Sequence, residues 1–133
     1  MKCPVDDSPM IVVERKKIEL DYCPECKGIW FDSGELELLP EALGIDVQLP
    51  ELSSFPKIST SEKPRKSPRT RKKMDKINMG SDDHPIVIDR DPLGLGLWFD
   101  MGELTEVFER FMNSAEDSGK NQIIRFLGET IKH

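Results

Sequence analysis

The sequence predicts a small α+β protein: two similar β-hairpin units in tandem, each followed by a helix, with one more helix at the C-terminus. Three observations predict it. Residues 18–36 (IELDYCPECKGIWFDSGEL) recur without a gap as residues 86–104 (IVIDRDPLGLGLWFDMGEL) at an offset of 68, and ten of the nineteen pairs are identical. Cys3, Asp6, Cys23 and Cys26 stand as C-x2-D and C-x2-C, separated by sixteen residues. An Asp followed three residues later by Glu, at Asp32/Glu35 and again at Asp100/Glu103, has capping-box spacing and marks a helix start in both copies.

Each element follows from local pattern. Apolar residues at 11–13, a charged turn at Glu14 to Lys17, and Ile18 and Leu20 alternating with charge suit a β-hairpin whose open end carries the C-x2-D and C-x2-C pairs. Trp30/Phe31 and Trp98/Phe99 then form a last strand, one ring on the hairpin and one against the helix, and serve as core. After the first cap Leu36 and Leu39 make a short helix that Pro40 begins to close. After the second, Leu104, Val107, Phe108, Phe111 and Met112 make a longer apolar stripe. Beyond a break at Asp117 to Gly119, Ile123, Ile124, Leu127 and Ile131, flanked by Phe126, predict a final helix. It packs on the preceding helix or, as the rival, on a second subunit in a homodimer. The expected division is 1–45 for the metal-bearing unit, 46–73 for a basic Pro/Ser-rich linker, and 74–133 for a metal-free unit with its helical extension.

Two residues between ligands let a tight turn aim both side chains at one point, and two such turns joined by a hairpin complete a tetrahedron, as in a zinc ribbon. Cys3, Asp6, Cys23 and Cys26 are therefore the expected metal ligands. Three thiolates and one carboxylate carry the same charge as four thiolates while hardening one corner of the site. Asp7 or a water are the alternatives to Asp6. Zinc is the expected ion, with iron as a second choice for a thiolate-rich tetrahedron. A redox role for CPEC needs a thiolate at a helix N-terminus, whereas here the helix signal begins only at Asp32. His84 and His133 are read as surface residues. In the second copy Asp91 and Gly94 replace Cys23 and Cys26, and upstream only Met74 and Ile77 stand near the first pair, so that copy is expected to hold no metal.

Composition bounds the function. Units of about fifty residues bury little and are usually supplemented by a metal or a partner lobe. Three cysteines cannot all pair within one chain, which speaks for a reducing compartment. The MKCPVDD start lacks a signal-peptide stretch, and no run approaches the roughly 18 apolar residues of a membrane span. A cytoplasmic, soluble protein is expected. The net charge of −6 divides unevenly: residues 57–76 hold nine Lys or Arg against Glu62 and Asp75, leaving −13 on the rest. Such a stretch reads first as a solvated linker. Its rival reading is weak, sequence-independent contact with nucleic-acid phosphates, since no aromatic residue lies between Pro56 and Lys76 to stack on bases.

The stretches CPVD at 3–6 and CPECKGIWFDSGEL at 23–36 resemble the TFIIB-type zinc ribbon family of small bacterial proteins, whose pattern is CPxCG, a short hairpin, then CPxCGGxWxDxGEL. The resemblance covers residues 1 to about 40. It implies a zinc-binding module with Asp6 where the family has cysteine. The second copy is similar to the variant ending CPxGHGLWxDxGEL, but Asp91 and Leu95 stand at its Cys and His positions, and it looks like a degenerate ribbon kept as scaffold. The expected function is that of a non-enzymatic, zinc-binding interaction or regulatory protein with a protein partner. A nucleic-acid-associated regulator using the basic segment is the alternative, and a thiol redox or metal-handling protein a weaker third.

Overall fold

In the computed structural model, which describes residues 1–112 and 125–126, β1 (Ile11–Arg15) turns into β2 (Ile18–Tyr22) through Lys16 and Lys17, both at positive φ (54° and 65°). Two central residues at positive φ make the type I′ turn, whose twist matches that of paired strands. β3 (Ile29–Asp32) pairs with β2, setting Asp21 opposite Trp30. β4 (Asp75–Asn78), β5 (Val87–Arg90) and β6 (Gly96–Phe99) repeat the arrangement, with Asp89 opposite Trp98. All six strands form one antiparallel sheet in the order β1-β2-β3-β6-β5-β4.

The junction of β3 and β6 lies at the middle of this sheet. Trp30 faces Trp98, Ile29 faces Phe99 and Phe31 faces Leu97. Since 98, 99 and 97 are the positions that 30, 31 and 29 become at an offset of 68, a local two-fold axis passes through the tryptophan pair. Strand alternation then divides the rings. Phe31 and Phe99, in edge-to-face contact with centroids 5.9 Å apart, join Leu36, Leu39, Leu104, Val107 and Phe108 in the larger core. Trp30 and Trp98, each fully buried, join Cys3, Cys23 and Met74 in a second cluster. Both tryptophans need a glycine opposite: a Cβ on Gly28 would run into the Trp98 indole, and one on Gly96 into the Trp30 indole.

Each hairpin unit is followed by a helix, α1 (Glu35–Leu43) in the first and α2 (Glu103–Phe111) in the second. Gly34 and Gly102 precede them at φ 93° and 88°, left-handed geometry that favours glycine, and no side chain caps either N-terminus. The expected capping box is therefore absent from the first copy and only half made in the second. Asp100 N–H donates to Glu103 Oε1 at 2.8 Å, while Glu35 accepts instead from the Glu19 amide at 3.0 Å. The Asp32 and Asp100 carboxylates turn away to accept the buried indole N–H groups of Trp30 (2.9 Å) and Trp98 (3.1 Å). Pro40 does not close α1, which runs on to Leu43 and ends at Gly44, whose amide and that of Ile45 close on the Glu41 and Pro40 carbonyls.

Segment 46–73, expected as an extended solvated connector, makes specific contacts. Phe55 is buried and meets Phe111 edge-on. Lys57 lies antiparallel to Ile77 on the outer edge of β4, and Lys66 bridges Lys73. Of the expected final helix, residues 125 and 126 are helical and Phe126 is buried in the larger core. Ile123, Ile124, Leu127 and Ile131 lie outside the described residues. No helix among the described residues is long and apolar enough to cross a membrane.

Candidate metal centre

Two turns build the site. In the first, Lys2 bridges Pro9, the Cys3 amide donates to the Ser8 carbonyl (2.8 Å) and the Asp7 amide to the Cys3 carbonyl (3.0 Å), with Asp7 at φ 65°. The Val5 N–H then points at Cys3 Sγ, 3.3 Å away. In the second, the Cys23 amide donates to the Gly28 carbonyl and the Lys27 amide to the Cys23 carbonyl, and the Cys26 N–H lies 3.5 Å from Cys23 Sγ. The β1–β2 hairpin brings the turns together. One ligand atom from each of Cys3, Asp6, Cys23 and Cys26 falls within 4.8 Å of the others.

Cys3 Sγ and Cys26 Sγ are 3.5 Å apart, and Cys23 Sγ lies 3.5 Å from Asp6 Oδ2. A tetrahedral zinc with Zn–S bonds of about 2.3 Å has S–S edges of roughly 3.8 Å, so the spacing fits such an ion with little movement. Cys3 and Cys23 are buried, Cys26 is half-buried and Asp6 is exposed. Burial pushes the Cys3 thiol pKa well up, against the lowering effect of the Asp6 and Val5 amides, and burial also raises Cys26. Hydrogen bonds from the Ser8 amide and hydroxyl hold Asp6 below the ordinary carboxylate value. Thiols kept neutral by burial are stable as thiolates only beside a cation, which is the condition a bound metal supplies. When bound, zinc here would staple two turns; Cys3, Cys23 and Cys26 would hold it from the buried side and Asp6 from the solvent side.

Asp7, the alternative fourth ligand, is instead an exposed residue 3.9 Å from Lys2 Nζ. His84 is exposed in the loop between β4 and β5, and His133 lies outside the described residues.

Around Asp91 the same backbone scheme returns with different side chains. Ser67 N–H donates to the Lys72 carbonyl, Arg71 N–H to the Ser67 carbonyl with Arg71 at φ 66°, and Asp91 N–H to the Gly96 carbonyl. Ser67 and Thr70 thus occupy the places of Cys3 and Asp6, rather than Met74 and Ile77. Thr70 Oγ1 donates to Asp91 Oδ2 (3.0 Å), and the Leu93 amide to Asp91 Oδ1 (2.7 Å). Burial works to raise the Asp91 pKa, but hydrogen bonds from Ser67, Leu93, Thr70 and Leu95 leave it lowered. Sequence reasoning missed this constellation, because the upstream part repeats at an offset of 64 and not 68: Lys2 and Pro9 correspond to Lys66 and Lys73. Four extra residues between β4 and β5 account for the change, since Asn78 pairs with Val87 where Glu14 pairs with Glu19.

Several basic residues of segment 57–76 are engaged within the fold. Arg69 clasps Asp32 through Nε (2.7 Å) and Nη2 (2.6 Å), and Arg65 Nη1 reaches both oxygens of Asp100. Lys76 Nζ pairs with the buried Asp89 (2.7 Å). Asp21, at the place of Asp89 in the first half, has Val12 where Lys76 would stand; burial, helped by the charge of Asp32, raises its pKa to about 6. Lys63, Lys66, Arg71, Lys72 and Lys73 remain on the surface.

Residues 2–42 match the family model described as "Transcription factor zinc-finger", a TFIIB-type zinc ribbon. The match covers less than half of the chain and one set of ligands. No curated protein and no solved structure matches the chain.

Proposed function

We propose that the protein is a non-enzymatic, zinc-stapled interaction protein, in which a Cys3-Asp6-Cys23-Cys26 ribbon shares its sheet with a degenerate ribbon that holds no metal. The convergence of three thiols and one carboxylate within 4.8 Å carries the reading. The second half supports it by contrast. There Ser67, Thr70 and Asp91 meet in hydrogen bonds where the first half has ligands, which is how a buried carboxylate is kept without a cation. The motifs are accounted for by ligands, indole acceptors and helix starts, leaving no nucleophile, base and orienting group together among the described residues.

Substituting cobalt tests the site. A parent chain loaded with cobalt(II) should show the intense thiolate-to-metal absorption of a tetrahedral site, and Cys23→Ser should lose it while Asp91→Ala keeps it. A thiol-disulfide turnover undiminished by metal loading would sink the non-enzymatic reading.

Nucleic-acid association is the second reading, favoured by the surface cations at 63, 66 and 71–73. It requires binding that falls steeply with salt and is lost when these five are neutralised. Arg65, Arg69 and Lys76, already in ion pairs, would contribute little.

A further inference from the structure

We propose that the outer edge of β1 docks an extended segment of a partner protein, added as an antiparallel seventh strand. The inference rests on the reading of the chain as an interaction protein. The molecule itself supplies the template. On the opposite edge, residues 56–58 lie antiparallel to β4: Asn78 N–H donates to the Pro56 carbonyl (2.9 Å) and Ile58 N–H to the Lys76 carbonyl (2.9 Å). The β1–β2 register equals that of β4–β5, Glu14 opposite Glu19 and Val12 opposite Asp21 as Asn78 is opposite Val87 and Lys76 opposite Asp89. The Glu14 N–H and Val12 carbonyl therefore face outward as their counterparts do, but among the described residues nothing bonds to them.

An open edge is ordinarily blunted by proline, a bulge, charge or a covering segment. β1, IVVER, has no proline and an unbroken register with β2; its charges, Glu14 and Arg15, lie at the turn end, while Ile11 and Val12 at the other end are 50% and 61% exposed.

The edge also indicates the chemistry of its occupant. On the covered edge, Lys57 Nζ reaches Asp75 (3.6 Å); β1 has Ile11 at that place, so the corresponding partner residue is apolar. An antiparallel strand brings its N-terminal end past Glu14 toward exposed Lys16 and Lys17, so that end is acidic. A second copy fits less well. Two β1 strands paired about Val13 would set Lys16 and Lys17 against Met10 and Pro9, with no charge to meet them. Strand addition of this kind draws affinity from main-chain hydrogen bonds and specificity from alternate side chains.

The test uses the full chain, zinc-loaded and labelled for amide exchange by NMR, with a blocked peptide acetyl-Asp-Glu-Thr-Val-Val-Ile-Thr-amide as probe. At saturating peptide the Glu14 amide should exchange about tenfold or more slowly, while that of Asn78, already bonded to Pro56, should not change. Glu14→Pro deletes the outward donor without removing a bond to β2, and should abolish the protection. Peptide binding that leaves Glu14 exchange unchanged, or that survives Glu14→Pro, overturns the proposal. So does protection of Glu14 that grows with protein concentration before peptide is added, the signature of self-pairing. Zinc is assayed on the same samples: peptide protection of Glu14 in folded protein that took up no zinc on loading would refute the metal reading and support the edge.

Discussion

Trp30 and Trp98 oppose each other across the sheet centre, each indole lying where the other half has a glycine, and each donating its N–H to the Asp two residues on. That arrangement explains why Trp, Asp and Gly recur together in both copies: the ring requires an acceptor at one end and open space beneath the other. Gly96→Ala should therefore destabilise by about 2–3 kcal/mol through overpacking against Trp30, read as a lowered denaturation midpoint with an unchanged slope. Asp91→Ala should cost a similar amount, about 2–4 kcal/mol, because it strips acceptors from the Thr70 hydroxyl and the Leu93 amide, while metal content stays as in the parent. A loss of metal in that variant would mean that the two halves of the pattern are not independent.

Among the elements, α2 shows how far pattern reading reaches. Its apolar stripe is legible because helix periodicity depends on local sequence, and Leu104, Val107 and Phe108 are buried as the spacing requires. The stripe does not reach as far as expected: α2 is no longer than α1, and Met112 lies past its end, bridging Val47. The Asp100 side chain does not cap the helix because a stronger demand than a helix amide falls on it, namely the Trp98 indole together with the Arg65 guanidinium. Arg65 comes from 35 residues upstream, a partner no local rule brings to Asp100. The same holds for Ser67 and Thr70, hidden by a loop-length difference that breaks the gapless repeat. Glu103 carries the consequence for pH. Burial raises its pKa from 4.5 to about 8 although it accepts the Asp100 amide. An acid raised on folding favours the folded state most below its unfolded value, and that contribution fades as pH rises through about 8. Glu103→Gln should flatten the fall in stability between about pH 5 and 8.5, measured by denaturant titration at each pH. A parallel pH profile would show that folding leaves the Glu103 pKa at its unfolded value.

At the scale of the whole molecule, the uneven charge of the sequence is partly resolved in folding: the basic segment closes on the acidic halves, with Arg69 on Asp32 of one and Arg65 on Asp100 of the other. What reads in sequence as a linker thus ties the sheet across its centre, and the convergence of Cys3, Asp6, Cys23 and Cys26 was legible because two short spacings suffice to aim four side chains at one point. Neutralising Arg69, 45% exposed, should cost less than neutralising Arg65, 20% exposed and also 3.6 Å from buried Asp89. Thermal unfolding of Arg69→Met and Arg65→Met compares them directly. The proposed asymmetry of the two halves is most directly tested by elemental analysis with a thiol count, on parent, Asp6→Ala and Asp91→Ala purified under reducing conditions. One zinc per chain in the parent, loosened or lost in Asp6→Ala and retained in Asp91→Ala, is the expected result; no zinc with three free thiols, or a second metal that depends on Asp91, would contradict it.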